Sequence, residues 1–119
     1  MKVESYKNLI VWQKAMELVI AAYKLTGHFP KEEIYGLTSQ MKRSAISIPS
    51  NIAEGSRRGS RKDFRHFLLM AFGSGAELET QLETAKRLSL GRDSDYFEPA
   101  ALLSETMRML NKMCGDFKQ

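Results

Sequence analysis

Apolar side chains recur along this chain at intervals of three and four, and no stretch alternates with period two for long. That spacing is helical, and it divides the chain into four segments. The first runs from about Asn8 to Thr26, where Gly27-His28-Phe29-Pro30 supplies stop signals. The second begins within 32–37 and runs to about Gly55, with Ile34, Leu37, Met41, Ala45, Ile48 and Ile52 as its stripe. Pro49 lies inside it, removes one backbone donor and crowds the preceding turn, so a kink or restart is expected near Ser47–Ser50. Ser44, Ser47, Ser50 and Asn51 stand ready to satisfy the freed groups.

Gly55-Ser56-Arg57-Arg58-Gly59 has the composition of a turn, and Ser60 with Asp63 three residues on suits a helix N-terminus. The third helix is expected from Arg61 to about Leu88. Phe64, Leu68, Ala71, Gly75, Leu78, Leu82 and Ala85 repeat there as a strict heptad. It would be roughly 42 Å long at 1.5 Å per residue. Its middle carries Ala71, Gly73, Ser74, Gly75 and Ala76, small residues that let a neighbouring helix come close. After the loop Leu90–Ser94 a fourth helix starts between Asp95 and Pro99, with Ala100, Leu103, Met107, Leu110, Cys114 and Phe117 as its stripe. Four helices with short connections predict an all-α, up-down-up-down four-helix bundle, one domain over 1–119.

The first helix has more apolar surface than such a bundle uses. Between Leu9 and Leu25, 13 of 17 residues are apolar. One stripe suffices for a surface helix, so a second buried face, a contact between subunits, is expected.

Composition narrows the classes. With 43% apolar and 27% charged residues in 119, the chain suits a folded globular protein. A single cysteine excludes an internal disulfide or a multi-cysteine metal site. The longest apolar runs, Leu18–Tyr23 and Phe67–Phe72, are far short of the ~20 residues of a membrane span. Met1-Lys2-Val3-Glu4 places an acid where a signal peptide would open its apolar stretch, and a cytoplasmic location is expected.

The charge is concentrated. Seven basic residues (Lys42, Arg43, Arg57, Arg58, Arg61, Lys62 and Arg65) face only Glu54 and Asp63 between positions 42 and 65, whereas the remaining 95 residues carry a net −1. Such a local excess is suited to phosphate backbones. Five of the seven are arginine, which favours bidentate contacts. At 100° per residue on a helix, Arg58, Arg61, Lys62 and Arg65 span an arc of about 100° beside the apolar stripe. No base-reading helix and no aromatic stacking platform is evident, so backbone-directed, salt-sensitive binding is expected.

Catalytic signals are missing. No HExxH, Walker A or GxGxxG pattern occurs, and Gly73-Ser74-Gly75 lies mid-helix. Asp63-x-x-His66 is a lone, approximate version of a motif that a di-iron bundle needs twice. Glu79 and Glu83 are accounted for by i,i+4 pairing with their neighbours, and Cys114 lies on an apolar stripe. No enzyme, cofactor or metal is therefore expected.

LIVWQKA (Leu9–Ala15), FPKEEIYGLTSQMKRSAISIPSNIAEGSRR (Phe29–Arg58) and FLLMAFGSGAELETQLETAKRL (Phe67–Leu88) resemble the 23S rRNA intervening-sequence proteins. Related to that family is the accessory variability determinant protein of diversity-generating retroelements. Ser47–Gly55, SIPSNIAEG, is the most specific part of the likeness, while Gly75 stands where a larger apolar residue is expected. The resemblance implies a four-helix bundle assembled as a homopentameric ring, without enzymatic activity. The retroelement relatives bind nucleic acid as partners of a reverse transcriptase. That role would fall here on Lys42, Arg43, Arg57, Arg58, Arg61, Lys62 and Arg65. The resulting expectation is an oligomeric module that binds RNA or DNA backbones. The alternative is a scaffold whose partner is an acidic protein.

Overall fold

The computed structural model describes residues 5–118. The sequence reading of Met1–Glu4 lies outside them. Four helices dominate: α1 (Ile10–Thr26), α2 (Leu37–Arg57), α3 (Arg61–Arg87) and α4 (Phe97–Asp116). Short 3₁₀ turns at Tyr6–Asn8, Lys31–Glu33 and Asp93–Tyr96 lead into α1, α2 and α4. Each helix packs on its neighbours in sequence, and α1 closes the set against α4. Together they form a four-helix bundle 45 Å long and about 20 Å across.

The stripes predicted from spacing point inward, with the exception of Ile34, which precedes α2 and is 48% exposed because the helix starts only at Leu37. All seven heptad residues of α3 are buried, and they meet Met41, Ala45, Ile48 and Ile52 of α2 and Leu18, Ala22 and Leu25 of α1 in one core. On α4 the inward register differs slightly from expectation. Ala100 is exposed, and Pro99 and Thr106 take inward positions beside Leu103, Leu110 and Cys114. Pro99 fits because it occupies the first turn, where no intrahelical donor is lost. The Thr106 hydroxyl is satisfied by the Leu102 carbonyl at 2.7 Å.

Of the expected kink or restart at Pro49, the restart does not occur: α2 continues through it from Leu37 to Arg57. Its ring is buried. Ser50 Oγ donates to the Ile46 carbonyl (2.8 Å) and Asn51 Nδ2 to the Ser47 carbonyl (2.9 Å), supplying side-chain donors beside the gap. Ser47 also meets Ser74 of α3, hydroxyl to hydroxyl at 2.7 Å, in the small-residue middle where close approach was expected.

Gly75 explains its own departure from the family pattern. A Cβ there would overlap the Met107 sulfur, because the Met107 side chain from α4 lies over the glycine. The expected apolar bulk is thus supplied from the opposite helix.

Candidate nucleic-acid interface

The bend between α2 and α3 is built by three residues. α2 continues through Arg57, beyond the expected turn, because Gly55 and Ser56 are buried against α3. At Gly55 an added Cβ would stand 2.7 Å from Phe67 Cβ, so a side chain there would push the helices apart. Gly59 then reverses the chain with φ of +85°, a conformation that side chains resist. Ser60 caps α3 by accepting from the Asp63 amide at 3.1 Å.

This bend gathers Arg57, Arg58, Arg61, Lys62 and Arg65. It does not gather Lys42 and Arg43. These lie 15 residues earlier on α2, about 22 Å along its axis. There Lys42 sits over the Tyr23 ring at 4.7 Å, and Arg43 lines a polar groove with Gln40, Glu77 and Gln81. Arg58 caps α2 and does not share the helix with Arg61, Lys62 and Arg65, which alone keep the common face.

Four of the five bend cations are held in place. Arg57, Arg58 and Arg61 lie over the rings of Tyr6, Phe67 and Phe117 at 5.4, 4.9 and 4.7 Å. Arg58 also pairs with Glu54 at 2.7 Å. Arg61 donates to the Asp116 carbonyl (3.0 Å), and Arg65 Nε donates to the Cys114 carbonyl (3.0 Å). Those carbonyls belong to the last turn of α4, where the Phe117 and Lys118 amides go to Met113 and Gly115 instead. Two arginines therefore cap the C-terminus of another helix. The aromatic partners come from three separate regions of the chain, which is why no platform is evident in the local sequence.

The adjacent helix ends sharpen the charge. Residues 5–8, 54–66 and 112–118 meet at this end of the bundle and hold eight basic residues against Glu54, Asp63 and Asp116. The opposite end, residues 24–40 and 84–98, holds five of each sign. Two helices begin and two finish at either end, so their dipoles largely cancel and side chains set the field. Cys114, beneath this surface, is buried; burial raises its thiol pKa despite the opposing pull of Arg65. Among the described residues no cluster of three metal-ligating acids, histidines or cysteines occurs, and no helix is long and apolar enough to cross a membrane.

The 23S rRNA-intervening sequence protein model matches residues 7–112, which takes in α1 to α3, the bend between α2 and α3, and α4 up to its last turn. The chain belongs to this family. A crystal structure at 1.70 Å of a protein of unknown function from the S23 ribosomal protein family, from Bacteroides thetaiotaomicron VPI-5482, is similar. It has a TM-score of 0.78 and 25% identity, and the match covers 88% of this chain and 98% of that one. No curated protein matches the chain significantly. Membership in the 23S rRNA-intervening sequence family thus accounts for the bundle and leaves the role of the bend to its own chemistry.

Proposed function

We propose that the protein is a non-enzymatic, homo-oligomeric module that binds RNA or DNA backbones through its α2–α3 bend. The observation that carries this reading is the restraint on the arginines. A guanidinium lying on a ring, or tied to a carbonyl, has already lost much of its rotamer freedom, so binding a phosphate costs it less. A cluster serving only solubility would have no need of such restraint. Arg57 and Lys62 have no ionic partner among the described residues, and they add open positions to the surface.

Self-association is supported by α1. After burying Val11, Ala15, Leu18, Val19, Ala21, Ala22 and Leu25, it still exposes Ile10 (62%), Ile20 (53%) and Tyr23 (43%). A pentameric ring, the form that the family resemblance suggests, would display the bend five times and raise a modest affinity by avidity. A reverse transcriptase or another nucleic-acid enzyme is the kind of protein partner this role admits.

The test is fluorescence anisotropy with labelled RNA and DNA across a salt series. Five engaged cations would give a log–log slope of about −3.5 on single strands. Arg57→Ala with Lys62→Ala should flatten that slope and weaken binding. Salt-independent binding, or no change in the variant, overturns the reading. Recovery of an acidic protein partner after nuclease treatment would favour the adaptor role. Light scattering during gel filtration reports the oligomeric state.

A further inference from the structure

Resting on the nucleic-acid reading above, we infer that the preferred ligand is single-stranded, with one unstacked base seated in a hollow between α3 and the end of α4. Lys62, Arg65, His66, Leu69 and Phe117 line this hollow, whose volume is about 340 Å³. That is many times the roughly 10–15 Å³ needed to admit one water. The four α3 residues follow one another by three, one and three, so they share a single face of the helix.

The chemistry of the lining is mixed in a particular way. Leu69 is 42% exposed, an aliphatic side chain open to solvent one turn beyond Arg65 and two beyond Lys62. Phe117 adds the rim of a half-buried ring that also carries the Arg61 guanidinium and packs on Phe64, and His66 adds an exposed imidazole. Lys62 and Arg65 stand beside them; Arg65 spends its Nε on the Cys114 carbonyl, and its Nη groups remain for a ligand. Cations and polar groups alone suffice to hold a duplex, whose base faces are hidden in the stack. An apolar hollow among phosphate-binding groups gains a partner only when a base leaves the stack. The flanking cations then meet the phosphates on either side of that nucleotide.

A small amphiphile with one carboxylate would fit the hollow but would leave Arg57, Arg58 and Arg61 unused. The continuation of positive charge beyond the hollow favours a ligand bearing many negative charges in series.

The test compares two strands of equal length and charge at fixed salt: an oligothymidine and its abasic counterpart. Stacking of one base predicts binding of the base-bearing strand that is about tenfold or more tighter. His66→Ala with Leu69→Ala, both exposed positions, should bring the ratio close to one and leave abasic binding unchanged. Phe117→Ala, checked for folding, should act in the same direction. Equal binding of both strands by the wild type overturns this inference and leaves the backbone-binding role standing. Binding of neither strand, and of neither labelled RNA nor duplex DNA beside them, overturns that role itself. An acidic peptide that binds as tightly as oligothymidine, and loses affinity in the same double variant, would assign the hollow to protein.

Discussion

Arg65, one turn into α3, donates its Nε to the carbonyl of Cys114 in the last turn of α4 at 3.0 Å. With Arg61 on Asp116, this makes the basic face of α3 a clamp on the end of another helix. The same surface is therefore both a structural joint and a candidate binding site.

Removing the clamp should cost stability. Hydrogen bonds from charged donors are worth about 1.5–3 kcal/mol when sheltered, and these are partly exposed, so about 1 kcal/mol each is expected. Arg65→Ala should lower the unfolding free energy measured in urea by that amount. It should also speed amide exchange in residues 113–117 more than in α2. Uniform exchange along the chain would refute a local clamp.

Arg57→Ala and Lys62→Ala should behave oppositely. Both side chains are exposed and carry no backbone bond among the described residues, so each should stay within about 0.5 kcal/mol of the parent. Nucleic-acid affinity should nevertheless fall with each. A binding loss in proportion to a loss of stability would mean that these residues act through the fold.

The helices were legible because their stripes are driven by burial, and within a helix burial follows spacing closely, though Ala100 and Ile34 depart from it. The heptad of α3 illustrates this: each of its seven members is buried. The bend was legible as charge but not as architecture. Arg61 and Arg65 look free in sequence because their acceptors, Asp116 and Cys114, lie about 50 residues away. Lys42 and Arg43 looked like part of the cluster because a count along the chain ignores the rise of a helix. The continuity of α2 through Pro49 was illegible for another reason: packing of the buried ring, with local donors from Ser50 and Asn51, outweighed the backbone penalty. Gly75 could not be understood without Met107, which reaches it from another helix.

That last pair is open to a double-mutant cycle. Gly75→Ala gains helix propensity of about 1 kcal/mol but drives a methyl into the Met107 side chain. Overpacking typically costs about 1–3 kcal/mol, so a net loss of about 1 kcal/mol is expected. Met107→Ala alone opens space and should also destabilise. In the double variant the new methyl enters the space left by the thioether, and the losses should fall short of their sum by about 1 kcal/mol. Strict additivity in chemical denaturation would show that the two side chains do not share this space.

The far end of the bundle supplies a pH prediction. Tyr96 is buried where the last loop enters α4, and its hydroxyl donates to the Leu90 carbonyl at 2.7 Å. Burial, reinforced by the negative charges of Asp95 and Asp93, pushes its pKa from 10.0 up to about 12. Asp95 stays ionised because the Arg92 amide donates to its carboxylate, which lowers its pKa. For Tyr96 the folded value lies above the unfolded one. Its contribution is therefore complete below about pH 10 and is lost as pH rises toward 12. Tyr96→Phe removes both the hydrogen bond and the ionisation. The variant should be about 1 kcal/mol less stable at neutral pH, and its stability should change less between pH 10 and 12 than that of the parent. Parallel stability curves across that window would show that Tyr96 ionises as freely in the folded chain as in the unfolded one.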